Sequence, residues 1–273
     1  MKSRITRSID ASRITRLWLC AAFLSGPVFA DDLTVERLTW AGVKLSSGDT
    51  TVLIDAVGTD LWGGAAPEGL VPVSADTPRR YALITHTHND HFDVKTLKEV
   101  LGTAGYVVCH ESQAAYVASR GLRVIAAKMH EPVFRGGFAF TAVPAEDGFG
   151  AHQVAWIVAD GKRKLLHAGD TLWHGQWENI GRQYGPFDVV FMPINGVRVG
   201  GERGVETPAV QTPLQAVDAA VLLQSKLMVP IHYGLNDPPN YVEVAEPLET
   251  VMSIAQRRGQ PARHLAPGER LTL

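Results

Sequence analysis

The chain has little cysteine, no marked excess of either charge and no long apolar run. Its 273 residues include two cysteines, Cys20 and Cys109, too few for the disulfide framework of a small secreted scaffold. A formal net charge of −2 without a basic stripe argues against a nucleic-acid partner. No apolar stretch approaches the ~20 residues that a membrane-spanning helix requires. Low-complexity tracts and short-period repeats are also missing, which removes solenoids and biased disordered tracts from consideration. What is there is an ordinary globular composition, 45% hydrophobic and 20% charged. At this length it supports a large buried core in one domain or at most two.

Residues 1–30 differ from the rest. Lys2, Arg4, Arg7, Arg13 and Arg16 precede an apolar run from Leu17 to Leu24, and the segment closes on Val28-Phe29-Ala30. This basic, then apolar, then small-residue order is that of a secretory signal peptide. It predicts cleavage after Ala30 and a periplasmic or secreted protein with no lasting membrane anchor. Cys20 follows Leu19 inside the apolar run, which does not suit a lipidation site, and no Arg-Arg pair precedes the run. Removal of residues 1–30 leaves 243 residues with 21 basic and 27 acidic side chains, a net charge of −6. One cysteine then remains, Cys109, in the apolar run Tyr106-Val107-Val108-Cys109, where it reads as a core thiol.

Along the rest of the chain, strands are expected over 33–40 and 42–55, with Gly48-Asp49 as a hairpin turn. Residues 57–78 read as a loop. Tyr81-Ala82-Leu83-Ile84 is a short buried strand that runs directly into a histidine-rich segment. Asp93 caps a helix over 94–101 that Gly102 ends. A strand at 106–109, a helix at 112–120 and strands at 122–127 and 138–144 follow. Residues 153–159 and 163–167 form a hairpin across Asp160-Gly161. A buried strand over 187–194 precedes a Gly-rich loop, 195–211. Thr212-Pro213 opens a helix to about 225. A strand over 227–231 ends at His232, and a last helix covers 243–258. Strands and helices mix in both halves with no dividing linker, so residues 31–273 read as one layered α/β sandwich.

The chemistry is concentrated in Thr85-His86-Thr87-His88-Asn89-Asp90-His91. Three histidines and an aspartate lie within six positions at the end of an apolar strand, and imidazole and carboxylate are the usual ligands of zinc and similar ions. His86 and His88, two apart, point the same way in an extended segment, while Asp90 and His91 face elsewhere and suit a second ion.

This segment resembles the His-x-His-x-Asp-His hallmark of the metallo-β-lactamase fold superfamily. Leu38-Thr39-Trp40-Ala41-Gly42 and Leu53-Ile54-Asp55 look like that family's first strands. His167-Ala168-Gly169-Asp170-Thr171 is similar to its Gly-Asp-Thr motif, and Pro230-Ile231-His232-Tyr233 to its final histidine motif. Within the superfamily the spacing most resembles the branch of ascorbate-phosphate lactonases and other broad metal-dependent hydrolases. The resemblance implies an αββα four-layer sandwich holding two divalent metal ions, zinc first, with manganese or iron as alternatives. It implies that His86 and His88 bind the first ion, that Asp90, His91 and His232 bind the second, and that Asp170 bridges both. The family supplies a further histidine in a Pro-Ala-x-His setting, where this chain reads Pro144-Ala145-Glu146-Asp147. Asp147 takes that place, or His152 five residues on does, or the first site is weak or empty; the residues leave these three open.

Two ions about 3.5–4 Å apart share a water and lower its pKa to about 7, and the hydroxide so formed attacks a carbonyl or phosphoryl centre. Asp90 is the expected catalytic residue, orienting that nucleophile and shuttling a proton. The expected reaction is hydrolysis of a small-molecule ester, lactone or phosphodiester. The competing readings are a non-catalytic metal-binding or ligand-binding protein on the same scaffold, which Asp147 favours, and a true β-lactamase, which the Gly-Asp-Thr aspartate disfavours. The loops 57–78 and 195–211, with Trp62, Arg198 and Arg203, are expected to shape the pocket. Arg198 and Arg203 are the candidates for holding an anionic group and His174 for lining the site. His110, His130 and His264 read as surface or core residues, His167 as packed, and Asp55 as supporting a ligand rather than binding metal.

Overall fold

The computed structural model describes residues 32–58, 70–200 and 208–273. The expected export signal with its cleavage after Ala30, together with Trp62 and Arg203, lies outside the described residues. In chain order the elements are β1 (Thr34–Arg37), β2 (Val43–Ser47), β3 (Thr50–Ile54), β4 (Arg79–Leu83), α1 (Val94–Leu101), β5 (Tyr106–His110), α2 (Glu111–Ser119), β6 (Val124–Ala127), β7 (Val133–Arg135) and β8 (Phe138–Pro144). They continue with β9 (Val154–Ala159), β10 (Lys164–His167), α3 (Trp177–Tyr184), β11 (Val189–Pro193), β12 (Arg198–Val199), α4 (Pro213–Leu222), β13 (Met228–Ile231), β14 (Tyr241–Val242), α5 (Pro247–Arg258) and β15 (Arg270–Thr272).

Among the described residues one sheet runs β15-β1-β2-β3-β4-β5-β6 and a second runs β13-β11-β10-β9-β8-β7. Strand alternation shows how they stack. In β3 and β4, Val52, Ile54, Tyr81 and Leu83 enter the same apolar cluster as Trp156, Val158, Phe191 and Ile231 of the second sheet. Their neighbours Leu53 and Ala82 point the other way, onto Leu97 and Leu101 of α1 and Val117 of α2. In the second sheet Ile157, Leu166, Val190 and Met192 turn outward onto Ile180 of α3, Ala216 and Ala220 of α4 and Val251 of α5. Each sheet therefore buries both faces, one on its partner and one on helices, which gives the expected αββα four-layer sandwich. Cys109 is fully buried in β5, where desolvation pushes its thiol up to about 12.

Several boundaries follow local chemistry legible in the sequence. The Asp93 side chain accepts from the Thr96 N–H at the start of α1, and Gly102, at φ 55°, closes it. Thr212 and Gln215 form a capping box with Pro213 opening α4. Other expectations need correction. α3 was not foreseen: Gln176 gives it no side-chain cap, and it contains Gly181, whose Cβ would meet Leu222 O at 2.0 Å. The glycine that weakens the helix signal is what lets α3 touch the end of α4. The last helix begins at Pro247 rather than 243, because Tyr241 and Val242 pair with β12 instead. β7 and β15, each three residues long, are too short to show a period.

Candidate metal centre

Parallel pairing brings the chemistry to one edge. β3 and β4 are parallel, as are β10, β11 and β13, while β8 is antiparallel to β9 and β9 to β10, so β8 runs with β10. The C-terminal ends of β3, β4, β8, β10 and β13 are followed by Asp55, His86 to His91, Asp147, Asp170 and His232 respectively. Asp55 and His232 have φ of 44° and 57°, so the chain turns in the left-handed region at both strand ends. Such outliers cluster at functional sites because the surrounding structure must hold them.

The seven expected ligands come together. Ligand atoms of His86, His88, Asp147 and Asp170 lie within 4.8 Å of one another, and so do those of His91, Asp170 and His232. Asp170 belongs to both groups, and His86, Asp90 and His91 form a third set that joins them. His91 Nε2 is 3.5 Å from Asp90 Oδ2 and 3.7 Å from Asp170 Oδ2. His232 Nε2 is 3.7 Å from Asp90 Oδ2 and 3.8 Å from Asp170 Oδ2. These gaps exceed hydrogen-bond lengths and approach the edge, about 3.3 Å, of a tetrahedron with bonds of about 2.0–2.1 Å. His91 Nε2, Asp147 Oδ1, Asp170 Oδ1 and His232 Nε2 are all buried with no hydrogen-bond partner among the described residues. Orphaned donors of this kind, converging from four strand ends, fit divalent cations.

Surrounding residues fix how the donors point. Asp55 is fully buried, accepting from Thr85 N at 2.8 Å, from Thr85 Oγ1 at 2.7 Å and from His91 Nδ1 at 2.8 Å. Its hold on Nδ1 places the other nitrogen of His91 in the cluster. Asp55 thus braces the ring of His91, a candidate ligand. Trp40 donates from Nε1 to Asp90 Oδ2 at 3.2 Å, and its ring lies 4.1 Å from that of His232. Arg37, also buried, donates to the Trp40 carbonyl at 2.6 Å. Spacing gave no hint of this role for Trp40, because an aromatic at a strand end reads as core.

Electrostatics follow from the crowding. Burial would raise the Asp90 carboxyl, but His91 and His232 outweigh it and hold it well below the usual range. Asp170 is lowered in the same way by His86, His91 and His232. Burial would lower His91, yet Asp90, Asp170 and Asp55 drive it well above its ordinary value. Several buried carboxylates in one place call for positive charge.

Asp147 and His152 separate cleanly. Asp147 Oδ2 accepts from Phe149 N at 2.9 Å and Ala151 N at 2.7 Å, which folds its loop, while Oδ1 lies 3.7 Å from His88 Nδ1. His152 turns away, with Nε2 2.7 Å from His110 Nδ1, and is in none of the ligand groups. The alternative in which His152 completes the first site is therefore corrected: His110, at the start of α2, engages its ring. His167 is packed as expected, with Nε2 donating to Ala41 O at 2.7 Å and Nδ1 accepting from Gly169 N.

A cavity of about 380 Å³ opens at the cluster, lined by His88, Asp90, Asp170 and His232, by the polar Asn89, Asp237 and Asn240, and by an apolar set that includes Val197, Val199 and Val210. Arg198 does not line it. In the β12–β14 pair Val199 faces Tyr241 and Arg198 faces Val242; Val199 and Tyr241 line the cavity, so Arg198 sits on the opposite, exposed face. His174 is also absent from the lining. Its ring packs 4.0 Å from that of Trp177, and burial lowers it to about 4. Both substrate-binding expectations are thus corrected. The described lining residues that the sequence did not flag include Phe149, Val197, Val210 and Tyr241. The Gly-rich 195–211 loop was the one signal pointing to Val197 and Val210. No described helix is long and apolar enough to cross a membrane.

Comparison with known proteins agrees with this geometry. A family model described as the β-lactamase superfamily domain matches residues 50–233. A UPF0173 metal-dependent hydrolase of Rubrobacter xylanophilus is 31% identical over 221 residues, 72% of this chain and 81% of that protein. A second UPF0173 metal-dependent hydrolase, from Thermus thermophilus, is 28% identical over 88% of this chain and 98% of its own length. Among solved structures, a metallo hydrolase of Ignicoccus hospitalis aligns with TM-score 0.68 and 20% identity over 89% of this chain and 98% of that one. The diiron β-hydroxylase CmlA of Streptomyces venezuelae aligns with TM-score 0.66 and 19% identity over 91% of this chain and 55% of its own. These two show the shared fold.

Proposed function

The chain belongs to the metallo-β-lactamase superfamily, and on that premise we propose that it is an exported, dinuclear metal-dependent hydrolase of a small-molecule ester, lactone or phosphodiester. The observation that carries this reading is the convergence of His86, His88, Asp147, Asp170, His91 and His232, of which His91 Nε2, Asp147 Oδ1, Asp170 Oδ1 and His232 Nε2 are buried without a hydrogen-bond partner among the described residues. The curated relatives named above carry the description metal-dependent hydrolase. With Asp147 in the first group and Asp90 in the second, each ion is offered two imidazoles and two carboxylates, Asp170 shared. Zinc suits such a set, and its carboxylate share also accepts manganese or iron.

Bound there, two divalent ions supply Lewis acidity that acidifies water and stabilises negative charge developing on oxygen. The chain's own residues supply position and proton handling. Asp90, anchored at Oδ2 by Trp40 and lining the cavity, takes up the nucleophile's proton. Asp55 and Trp40 keep the donors fixed on strand ends, where rigidity serves catalysis. The binding-protein reading rested on Asp147 as a lost ligand; its buried Oδ1, 3.7 Å from His88 Nδ1 and without a hydrogen-bond partner among the described residues, supports the hydrolase reading instead. Export rests on the pattern of residues 1–30.

The test is metal-dependent turnover by the chain from Asp31 onward. Chelation should abolish hydrolysis of simple lactones, nitrophenyl esters or bis-p-nitrophenyl phosphate, and re-addition of zinc, manganese or iron should restore it. Nitrocefin hydrolysis exceeding all of these would instead identify a β-lactamase. Two bound ions with no turnover in any class would contradict the enzyme.

A further inference from the structure

We infer that the cavity beside the metal centre selects an uncharged carboxylic ester or lactone bearing a short apolar chain, over an anionic phosphodiester. This rests on the hydrolase reading and narrows it to one substrate class. Val197, Ala209 and Val210 form a small buried apolar cluster of their own, with Val199 and Tyr241 packed against it. All five line the cavity together with His88, Asp90, Asp170 and His232.

This wall is held by backbone pairing rather than by chance contact. Ala209 N donates to Val197 O at 2.7 Å, Gly196 N to Gln211 O at 3.0 Å and Gly200 N to Asn240 O at 2.8 Å. Asn195 donates from Nδ2 to Tyr241 Oη at 2.8 Å and to Glu243 Oε1 at 3.3 Å, which fixes the phenol at the cavity edge. Gly148 lets the Asp147 loop lie against the same wall, since a Cβ there would meet Ala209 O at 2.5 Å. The apolar surface and the donor atoms are therefore parts of one rigid assembly.

Charge points the same way. The described lining residues include no lysine or arginine, and Asp237 adds a carboxylate at the rim. Two divalent ions against Asp90, Asp147 and Asp170 leave a net charge of about +1, which Asp237 offsets. An anionic diester would have to shed water against valines, with the neutral amides of Asn89 and Asn240 but no lysine or arginine among the described lining residues to receive it. A neutral ester avoids that penalty, and its chain gains from burial by about fourfold per methylene. In the reaction the oxygen of water bonds to the acyl carbon and the bond from that carbon to the alkoxy oxygen breaks. The alkoxy oxygen takes a proton, giving an acid and an alcohol from an ester or one hydroxy acid from a lactone.

The metal-loaded protein should be assayed for kcat/KM on p-nitrophenyl acetate, butyrate and hexanoate and on bis-p-nitrophenyl phosphate. Binding of 2-butanone, 2-hexanone and 2-octanone, uncharged and not hydrolysable, should be followed by calorimetry. We expect kcat/KM to rise about tenfold from acetate to butyrate, ketone affinity to rise with chain length, and the phosphodiester to be the poorest substrate. Val199→Lys, on a half-buried position of a two-residue strand, should flatten both chain-length trends while keeping the wild-type metal content. A phosphodiester turned over faster than every ester, or rates and affinities independent of chain length, would overturn the inference and leave the hydrolase reading intact. Chain-length-dependent ketone binding without turnover of any ester would sustain the cavity assignment and overturn the hydrolase reading.

Discussion

The two donor groups of the centre are built differently. On the deep side His91 and His232 are buried, with His91 tied to Asp55 and His232 covered by the Trp40 ring. Asp90 on that side is tied to the same indole. On the open side the His88 side chain is 36% exposed, and among the described residues Asp147 Oδ2 accepts from N–H groups of its own loop, Phe149 and Ala151. Neighbours on other strand ends thus fix the deep group, whereas in the open group the Asp147 carboxylate depends on one loop after β8. The comparison teaches that the Asp147 carboxylate carries its own backbone support, apart from the network around Asp55.

This asymmetry can be broken in a graded way. The largest effect is expected from Asp170→Ala, which removes the residue common to both groups. Metal content should fall by both equivalents, and kcat/KM by at least roughly 10²–10³-fold. Retention of two ions in that variant would sink the shared role. Next is Asp55→Ala, which frees His91 Nδ1 without touching a donor atom. Metal affinity on the deep side should drop roughly 10–100-fold, read by competition with a chelator, while the open side keeps its ion. Loss of both ions together would show that the two groups are not separable.

The smallest effect serves as a control outside both groups. Burial lowers His174 to about 4, against about 6.5 in the unfolded chain. The unfolded state therefore binds more protons between those values. This contribution to stability is fully present above pH 6.5 and is lost as the pH falls toward 4, by about 2–3 kcal/mol at most. Urea unfolding of wild type and His174→Phe at pH 8 and pH 5 should show a smaller acid loss in the variant, with metal content unchanged at pH 8. Equal acid losses would contradict the assignment.

Much of this was legible in the sequence because the signals are local. His86, His88, Asp90 and His91 share one segment, and the caps at Asp93 and Thr212 state where helices begin. Pairing of Asp170 and His232 with that segment came through family motifs, since no local pattern says that β10 and β13 end at the same edge as β4. What escaped reading depends on tertiary registration. Arg198 looked like an anion-binding residue until its pairing opposite Val242 put it on the outer face. His174 looked like a site residue by proximity in sequence to Asp170, but the turn into α3 sends it onto Trp177. The choice between Asp147 and His152 turned on which side chain the fold engages elsewhere, and His110 answers it. Trp40 carried no polar signature at all; only the strained turn at the end of β1, with φ 60° at Trp40, aims its indole at Asp90.

The most direct measurement is elemental analysis of the purified chain from Asp31 onward beside its Asp147→Ala variant, both expressed without added metal. The account predicts about two equivalents of zinc, manganese or iron per chain for the first and about one for the second. One equivalent in both, or two in both, would contradict the place given to Asp147 and with it the two-ion centre as drawn.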